Sequence, residues 1–226
     1  MLPVSSPLTR VLLTNDGSTT AFLSALLAEP LRVRVLVQAH RPAATALPPQ
    51  LQCQLQLDSA HPVILRRSEL IRPDGRTVSA NKVVMVPDHP VIDAIVDGGD
   101  VPLGQILRAG GIEQRRQILQ TGARRWHWGT DAGHLRSPCR SYLVTISGHP
   151  LLYIEETFHP EVIPASADLP LLHSMGGVIN QEAWRSPGTR QEATKTASPT
   201  GMALCDRKDR ATRELSVCLS RSVILK

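Results

Sequence analysis

Aromatic residues are scarce in this sequence, at 3% of 226 residues. Proteins that bind single-stranded nucleic acids stack bases on aromatic side chains, and this chain has few of them to offer. Lys and Arg form no long run or basic helix either, although the formal net charge is +5. We therefore expect no nucleic acid among the partners of this protein.

Long hydrophobic runs are also missing. A stretch such as residues 83–86, VVMV, is far too short to cross a bilayer, and the N-terminus lacks the charged and apolar regions of a signal peptide. The four cysteines, Cys53, Cys139, Cys205 and Cys218, are far apart and form no CxxC pair. This spacing predicts neither a zinc site nor a disulfide framework. We expect a cytoplasmic protein with reduced thiols, no metal and no integral membrane segment.

Short motifs of several common enzyme classes are absent as well. The sequence has no GxGxxG, no P-loop, no HExxH and no GxSxG. These motifs build phosphate-binding loops, metal sites and strained nucleophile turns. Nucleotide-binding proteins, metalloproteases and α/β-hydrolases therefore have no support in this chain.

Apolar spacing and turn residues divide the first 164 residues into helices, strands and hairpins. Leucines at helical spacing predict a helix from Thr19 that Pro30 ends. The alternating segment LRVRVLVQ predicts a strand at 31–38, and the proline pair in ATALPPQLQ predicts a loop at 44–52. Further along the chain we predict a hairpin at 62–86, helices at 91–99, 102–110 and 112–122, and a second hairpin at 140–160.

This order of elements predicts the fold class and the domain boundary. Strands that are adjacent in sequence and joined by tight turns form an antiparallel sheet, so we expect an α+β domain with helices packed on one sheet. Residues 1–164 would form this domain. Residues 165–226 are rich in Ser, Thr, Gly and charge, and we expect them to be a poorly ordered polar tail.

Two adjacent carboxylates interrupt the last predicted strand. Glu155 and Glu156 lie between apolar neighbours, and successive strand residues point to opposite faces of a sheet. One of them should therefore face the interior. Burial beside apolar walls raises the pKa of a carboxyl group and makes it a usable general acid. A salt bridge to an arginine across the sheet is the alternative.

Arginines in the strands are candidates for binding an anion. Arg66 and Arg67 are neighbours in the segment LRRSELI, so one of them should point inward, where a guanidinium can hold a carboxylate bidentately. Arg140 opens the last hairpin and is a second candidate. Solvated arginines, or an arginine paired with Glu69, are the alternatives.

Four segments in this order resemble the chorismate pyruvate-lyase family. They are LTRVLLTNDGSTTAFLSALL, LRRSELIRPDGRTV, PLGQIL and CRSYLVTISGHPLLYIEETFHP, and the resemblance covers roughly residues 8–164. It implies one antiparallel sheet whose helices enclose a buried ligand pocket. It also implies conversion of chorismate to 4-hydroxybenzoate and pyruvate without cofactors. Quinones and phenolic lipids are both open as destinations of the 4-hydroxybenzoate.

The resemblance also implies roles for individual residues. The family's substrate-binding strand arginine falls on Arg67, its Pro-Leu-Gly leucine on Leu103, and its arginine before the final hairpin on Arg140. Its catalytic glutamate falls on Glu156 when counted back from the last strand's end, and on Glu155 when counted forward from the hairpin turn. We prefer Glu156, because insertions are easier near a hairpin turn.

The same fold supports a function of a different class. Ligand-sensing domains of certain transcription regulators resemble this chain in their last strand. They normally follow a DNA-binding winged helix, for which we expect no room before residue 10. The alternative to an enzyme is therefore a non-catalytic domain that binds a small aromatic or carboxylate ligand.

Overall fold

Six antiparallel strands form one sheet in the order β1-β2-β3-β6-β5-β4. The computed structural model describes residues 6–127 and 135–172. The strands are β1 (Arg32–Pro42), β2 (Pro62–Ile71), β3 (Thr77–Met85), β4 (Gln114–Arg125), β5 (Arg136–Ile146) and β6 (His149–Phe158). The helices are α1 (Pro7–Thr14), α2 (Thr19–Leu27), α3 (Ala43–Ala46), α4 (Pro49–Gln54), α5 (Pro90–Asp97) and α6 (Leu103–Ala109). This architecture confirms the predicted α+β fold with a single antiparallel sheet.

Tight turns build the two predicted hairpins. β5 and β6 are joined by Ser147 and Gly148, with φ of 50° and 83°, the left-handed pair that matches the twist of a two-residue hairpin. Arg72 begins the turn between β2 and β3, where its carbonyl accepts a hydrogen bond from the amide of Gly75 at 2.9 Å. Both hairpins are confirmed, and β3 pairs with β6 to join them into one sheet.

Apolar side chains alternate between the two faces of this sheet. The face that carries Ile64, Met85 and Ile154 packs against α5 and α6; we call it the pocket face. The opposite face carries Leu65, Val84, Leu143 and Tyr153 and packs against α3 and α4; we call it the back face. Helices therefore cover both faces, and each strand of the sheet centre contributes side chains to two separate cores.

Residues 112–122 were predicted to be helical, and this prediction is wrong. They lie largely in β4, which pairs with β5 from Gln114 opposite Ile146 to Arg125 opposite Arg136. Gln, Arg and Leu favour helices, but the segment pairs with β5 along nearly its whole length, and tertiary context outweighs a weak local propensity. The loop predicted at 44–52 is likewise largely helical. The reason is that Pro49 begins α4 at a position where the missing amide costs nothing.

The domain extends past its expected boundary at residue 164. The amide of Ala123 donates to the carbonyl of Pro170 at 2.8 Å, and the amide of Leu172 donates to the carbonyl of Ala123 at 2.7 Å. Ser166 also accepts a hydrogen bond from the amide of Ser6 at 3.2 Å. Residues 165–172 are therefore part of the folded unit, and the rest of the expected tail, 173–226, lies outside the described residues.

Candidate active site

A pocket opens on the pocket face of the sheet, beneath α2 and α6. Its empty volume is about 620 Å³, including the open mouth. The strands supply Arg66, Asn81, Tyr142 and Glu156 to its lining, along with apolar side chains. This lining, apolar walls with a few polar and charged groups, is typical of sites that bind small molecules.

The pocket walls are formed where two helices begin. The Oγ of Ser18 caps α2 by accepting the amide of Ala21 at 3.3 Å, and this cap places Thr19 and Thr20 at the pocket wall. Leu103 begins α6 and is followed by Gly104. A Cβ added at Gly104 would lie 2.8 Å from the Oγ of Ser18, so the absence of a side chain there lets the two helix starts meet.

Glu156 is the acid of this pocket. Its exposed fraction is 5%, and its carboxylate accepts three hydrogen bonds. Arg140 Nε donates to Oε2 at 2.8 Å and Thr19 Oγ1 donates to the same oxygen at 3.1 Å. Tyr142 Oη donates to Oε1 at 3.1 Å. All three groups donate to the carboxylate, so both of its oxygens are hydrogen-bonded inside the protein.

Arg140 lies behind Glu156 with an exposed fraction of 0%. Its Nη1 donates to the carbonyls of Leu12 and Asn15 at 2.7 and 2.6 Å, and its Nη2 donates to Thr19 Oγ1 at 2.8 Å. Burial acts to lower the pKa of Arg140, but the carboxylate of Glu156 outweighs it and raises that pKa. The Arg140 guanidinium therefore binds groups of the protein itself, namely the Glu156 carboxylate and backbone carbonyls before α2.

Arg66 is the first guanidinium that lines the pocket. Its Nη1 donates to the carbonyl of Ile95 at 2.9 Å and its Nη2 donates to the carbonyl of Gly99. Its Nε is buried and has no hydrogen-bond partner in the described chain. Burial lowers the pKa of Arg66, although a guanidinium stays charged at any ordinary pH. None of the ion pairs between described residues involves Arg66.

Arg116 is the second guanidinium of the pocket. It extends from β4, donates to the carbonyl of Gly17, and its guanidinium carbon lies 5.4 Å from the ring centroid of Tyr142. Like Arg66, it has a buried Nε with no partner within residues 6–127 and 135–172, and it is absent from the ion pairs of that region. The pocket thus has two cations without a carboxylate partner, beside one acid that already has its own arginine.

The family described as "Chorismate pyruvate-lyase Rv2949c-like" matches residues 13–165. The chain belongs to this family. The match runs from α1 to the end of the sheet and so includes every residue of the pocket described above.

The solved structures similar to this family member have low sequence identity to it. PhnF from Mycobacterium smegmatis is 13% identical with a TM-score of 0.50, over 71% of this chain and 69% of PhnF. The effector domain of the same protein is 14% identical, with a TM-score of 0.48, over 69% of this chain and 93% of the domain. A GntR-family transcriptional regulator from Bacillus cereus is 7% identical, with a TM-score of 0.46, over 62% and 99%. A comparison with curated protein sequences gives no significant match.

The structure places two of the predicted site residues in the pocket of this family member. Glu156 and Leu103 both line it. Arg140, predicted to bind substrate, does not line it and instead holds Glu156 from behind. The reason is that β5 turns this side chain toward the carbonyls before α2, which bury it completely.

Arg67 requires a correction. It pairs across the sheet with Lys82 of β3 and shares the back face with Leu65, two residues before it. Strand alternation turns the neighbouring Arg66 to the pocket, so the pocket arginine is one residue earlier than the resemblance implies. The residue without a partner at the register shift beside Leu70 is Val78 of β3, so the alternation along β2 itself is unbroken from Ile64 to Ile71.

Glu155 also lies on the back face, with an exposed fraction of 2%. Arg124 Nη1 donates to its Oε2 at 2.8 Å and Tyr153 Oη donates to its Oε1 at 3.0 Å. Burial acts to raise the pKa of Glu155, but Arg124 and then Lys82 outweigh it and lower that pKa. Each of the two glutamates therefore forms a salt bridge with an arginine, which was the alternative to a general acid.

Sequence reasoning missed three residues of the site: Arg116, Tyr142 and Thr19. Arg116 was hidden by the wrong assignment of β4 as a helix. A strand pattern over residues 114–118 predicts that Arg116 and Ile118 lie on the same face of the sheet. Nothing in the sequence alone indicates that the hydroxyls of Tyr142 and Thr19 reach Glu156, since one comes from β5 and the other from α2.

Two kinds of feature, a metal-binding group and a membrane-spanning helix, are absent from the described residues. Within the described residues, no group of three or more His, Cys, Asp or Glu side chains is placed to hold a metal ion. No helix in the same part of the chain has the length and apolar character needed to cross a membrane.

Proposed function

We propose that this protein is a lyase that converts chorismate to 4-hydroxybenzoate and pyruvate in the pocket described above. One observation carries the proposal: Arg66 and Arg116 line the same pocket as Glu156, and each has a buried Nε without a partner among the described residues. Unsatisfied buried donors are costly, so a ligand acceptor at these atoms is favourable. Chorismate carries two carboxylates, one for each guanidinium.

The roles of the two arginines follow from their charges. A guanidinium binds a carboxylate through short, charge-assisted hydrogen bonds that are roughly twice as strong as neutral ones. Arg66 and Arg116 are held in place by backbone carbonyls of α5, the following turn and the residues before α2. We assign them to the two carboxylates of the substrate. Leu103 and Met85 provide apolar walls for the ring.

Glu156 moves the proton in this proposal. Its carboxylate removes the proton from the hydroxyl-bearing ring carbon. The electron pair of that C–H bond forms the last double bond of the aromatic ring, and the bond from the neighbouring carbon to the ether oxygen breaks. Enolpyruvate leaves and takes the proton from Glu156 at its methylene carbon, which gives pyruvate. Atoms and electrons balance without a cofactor, and such proton transfer contributes roughly 10²–10⁴-fold.

The ion pair with Arg140 supports this order of events. The two charged groups lie 2.8 Å apart, and in the proposal the Glu156 carboxylate accepts a proton first and returns it to the leaving group afterwards. The sequence predicted a general acid, and that role remains in the second half of the cycle.

The test is an assay of purified protein with chorismate, measuring 4-hydroxybenzoate and pyruvate together. We expect both products in equal amounts. Glu156→Gln should reduce kcat by roughly 10²-fold or more. Glu155→Gln is the matched control, because it makes the same change one residue earlier on the back face; per folded molecule it should retain turnover. Loss of activity in Glu155→Gln alone would refute the assignment.

A non-catalytic ligand-binding domain is the second candidate. The observation that favours it is the pair of buried Nε donors of Arg66 and Arg116, which can bind a carboxylate ligand whether or not a proton is transferred. This function needs Arg66 and Arg116 but not Glu156. Saturable binding of chorismate or 4-hydroxybenzoate, with chorismate recovered intact after long incubation, would establish this candidate and exclude the lyase.

A further inference from the structure

The two oxygens of the Glu156 carboxylate have unequal surroundings. Oε2 accepts hydrogen bonds from both Arg140 Nε and Thr19 Oγ1, and these two bonds use its acceptor capacity. Oε1 accepts one hydrogen bond, from Tyr142 Oη at 3.1 Å. A carboxylate oxygen has room for about two hydrogen bonds, so Oε1 is the oxygen with capacity left for a substrate proton.

Tyr142 is held rigidly beside that oxygen. It is fully buried in β5 and lines the pocket. The guanidinium carbon of Arg140 lies 5.1 Å from its ring centroid and that of Arg116 lies 5.4 Å away. Two cations within about 6 Å of an aromatic ring attract it electrostatically. These contacts stabilise the ring in the position from which its hydroxyl donates a hydrogen bond to Glu156.

We propose that Tyr142 is a positioning residue that selects Oε1 of Glu156 as the proton-transferring oxygen and fixes its direction toward the ligand. This inference rests on the proposed function, since it assigns the geometry of the same proton transfer. Tyr142 acts through Glu156 by donating one hydrogen bond to its ionised form, and it takes no proton from the substrate.

The electrostatics of the pocket agree with a permanent donor. Burial raises the pKa of Tyr142, and the neighbouring Glu156 raises it further, so the phenol keeps its proton. The charged groups facing it are Arg140 on its own strand, Arg116 from β4 and Glu156 from β6, with Arg66 from β2 lining the same pocket. The helix starts add only uncharged residues to the lining, namely Ser18, Thr19, Thr20, Leu103 and Gly104.

The back face provides a matched control. There Tyr153 Oη donates to Glu155 Oε1 at 3.0 Å, beside the Arg124 ion pair. Tyr153→Phe therefore removes the same atom, from a buried tyrosine, next to a buried Arg–Glu pair, outside the pocket. Any loss of stability or activity caused simply by removing a buried phenol oxygen therefore appears in both variants.

The experiment compares Tyr142→Phe, Tyr153→Phe and the unchanged protein over a range of pH. A lost hydrogen bond to a charged group corresponds to roughly a 10- to 150-fold effect, and we expect Tyr142→Phe to lower kcat within that range. KM should change less than kcat. Tyr153→Phe should keep the original kcat and KM at every pH tested.

A second measurement does not depend on turnover. The ¹³C chemical shift of the Glu156 carboxyl is compared at one pH in the unchanged protein, Tyr142→Phe and Tyr153→Phe, with the signal assigned through Glu156→Gln. The signal should move in Tyr142→Phe, because the hydrogen bond from Tyr142 Oη to Oε1 is lost, and stay unchanged in Tyr153→Phe. An unmoved signal overturns the role of Tyr142, whether or not the protein turns over chorismate. A moved signal without turnover instead leaves Tyr142 as the residue that orients Glu156 and refutes only the lyase.

Discussion

Glu155 and Glu156 are neighbours in the chain, yet each is buried on a different face of the sheet with its own arginine and its own tyrosine. Both ion pairs measure 2.8 Å, to Arg124 on the back face and to Arg140 on the pocket face. Only Glu156 borders the pocket. The two carboxylates are therefore chemically alike and differ in access to a ligand, which makes each residue of one face a control for its counterpart on the other.

Replacing Arg66 by alanine should weaken chorismate binding by roughly 10- to 150-fold, the range expected when a hydrogen bond to a charged group is lost. Arg67→Ala should leave affinity nearly unchanged, because Arg67 lies on the back face opposite Lys82. Isothermal titration with the catalytically impaired Glu156→Gln background gives the affinity directly. A larger effect for Arg67 than for Arg66 would mean that the face assignment of β2 is reversed.

Removing Arg140 should destabilise the fold more than removing the whole ion pair. Arg140→Met leaves Glu156 buried without its cation, for which about 3–5 kcal/mol is typical. The double variant Arg140→Met/Glu156→Leu removes both charges and should recover part of that loss. Urea unfolding of the three proteins measures these differences. Equal stability of the single variant and the unchanged protein would contradict the buried pair.

Stability should fall in acid partly because of Glu155. The pKa of Glu155 lies below its ordinary value of 4.5, since Arg124 and Lys82 outweigh the effect of burial. A lowered folded-state pKa contributes stability above the unfolded-state value, and this contribution is lost as the pH falls through the folded-state value. The free energy of unfolding should therefore decrease below about pH 4.3.

Glu155→Gln isolates this contribution. The variant should be less stable at neutral pH, and its stability should depend less steeply on pH in the acid range, because no proton is taken up at this position. Chemical unfolding at a series of pH values between neutral and acid gives both slopes. Parallel curves for the two proteins would show that the ion pair on the back face makes no pH-dependent contribution.

Residues 165–172 should contribute measurably to the stability of the domain. A chain ending at residue 164 loses the hydrogen bonds between Ala123 and the segment 170–172, so it should melt at a lower temperature than a chain ending at residue 172. Gly122→Ala provides a test in the full chain. Its added Cβ would lie 2.6 Å from the carbonyl oxygen of Pro170, and this backbone atom has to move away.

A thermal melt of each protein tests these expectations. Gly122→Ala and the chain ending at 164 should both be destabilised, with the truncated chain insensitive to the further Gly122→Ala change, because the clash partner is gone. Additive effects of the two changes would show that Gly122 is constrained by something other than this segment.

The sequence by itself determined the hairpins, because their turns depend on local backbone preferences. Ser147-Gly148 adopts the left-handed pair that a tight hairpin requires, and Arg72 to Gly75 closes the other turn. Alternation also established that Glu155 and Glu156 point to opposite faces, since the side-chain period of a strand is two.

Only the tertiary structure decided which face holds the pocket and which residues share it. The face of β2 that carries Ile64 packs against α5, and this packing places Arg66 rather than Arg67 in the pocket. Pairing with β5 made a strand of a segment with helical propensity and so brought Arg116 to the pocket. Local sequence sets the period of a strand, but its register and neighbours are set by contacts between residues far apart in the chain, and the binding groups of this protein depend on those contacts.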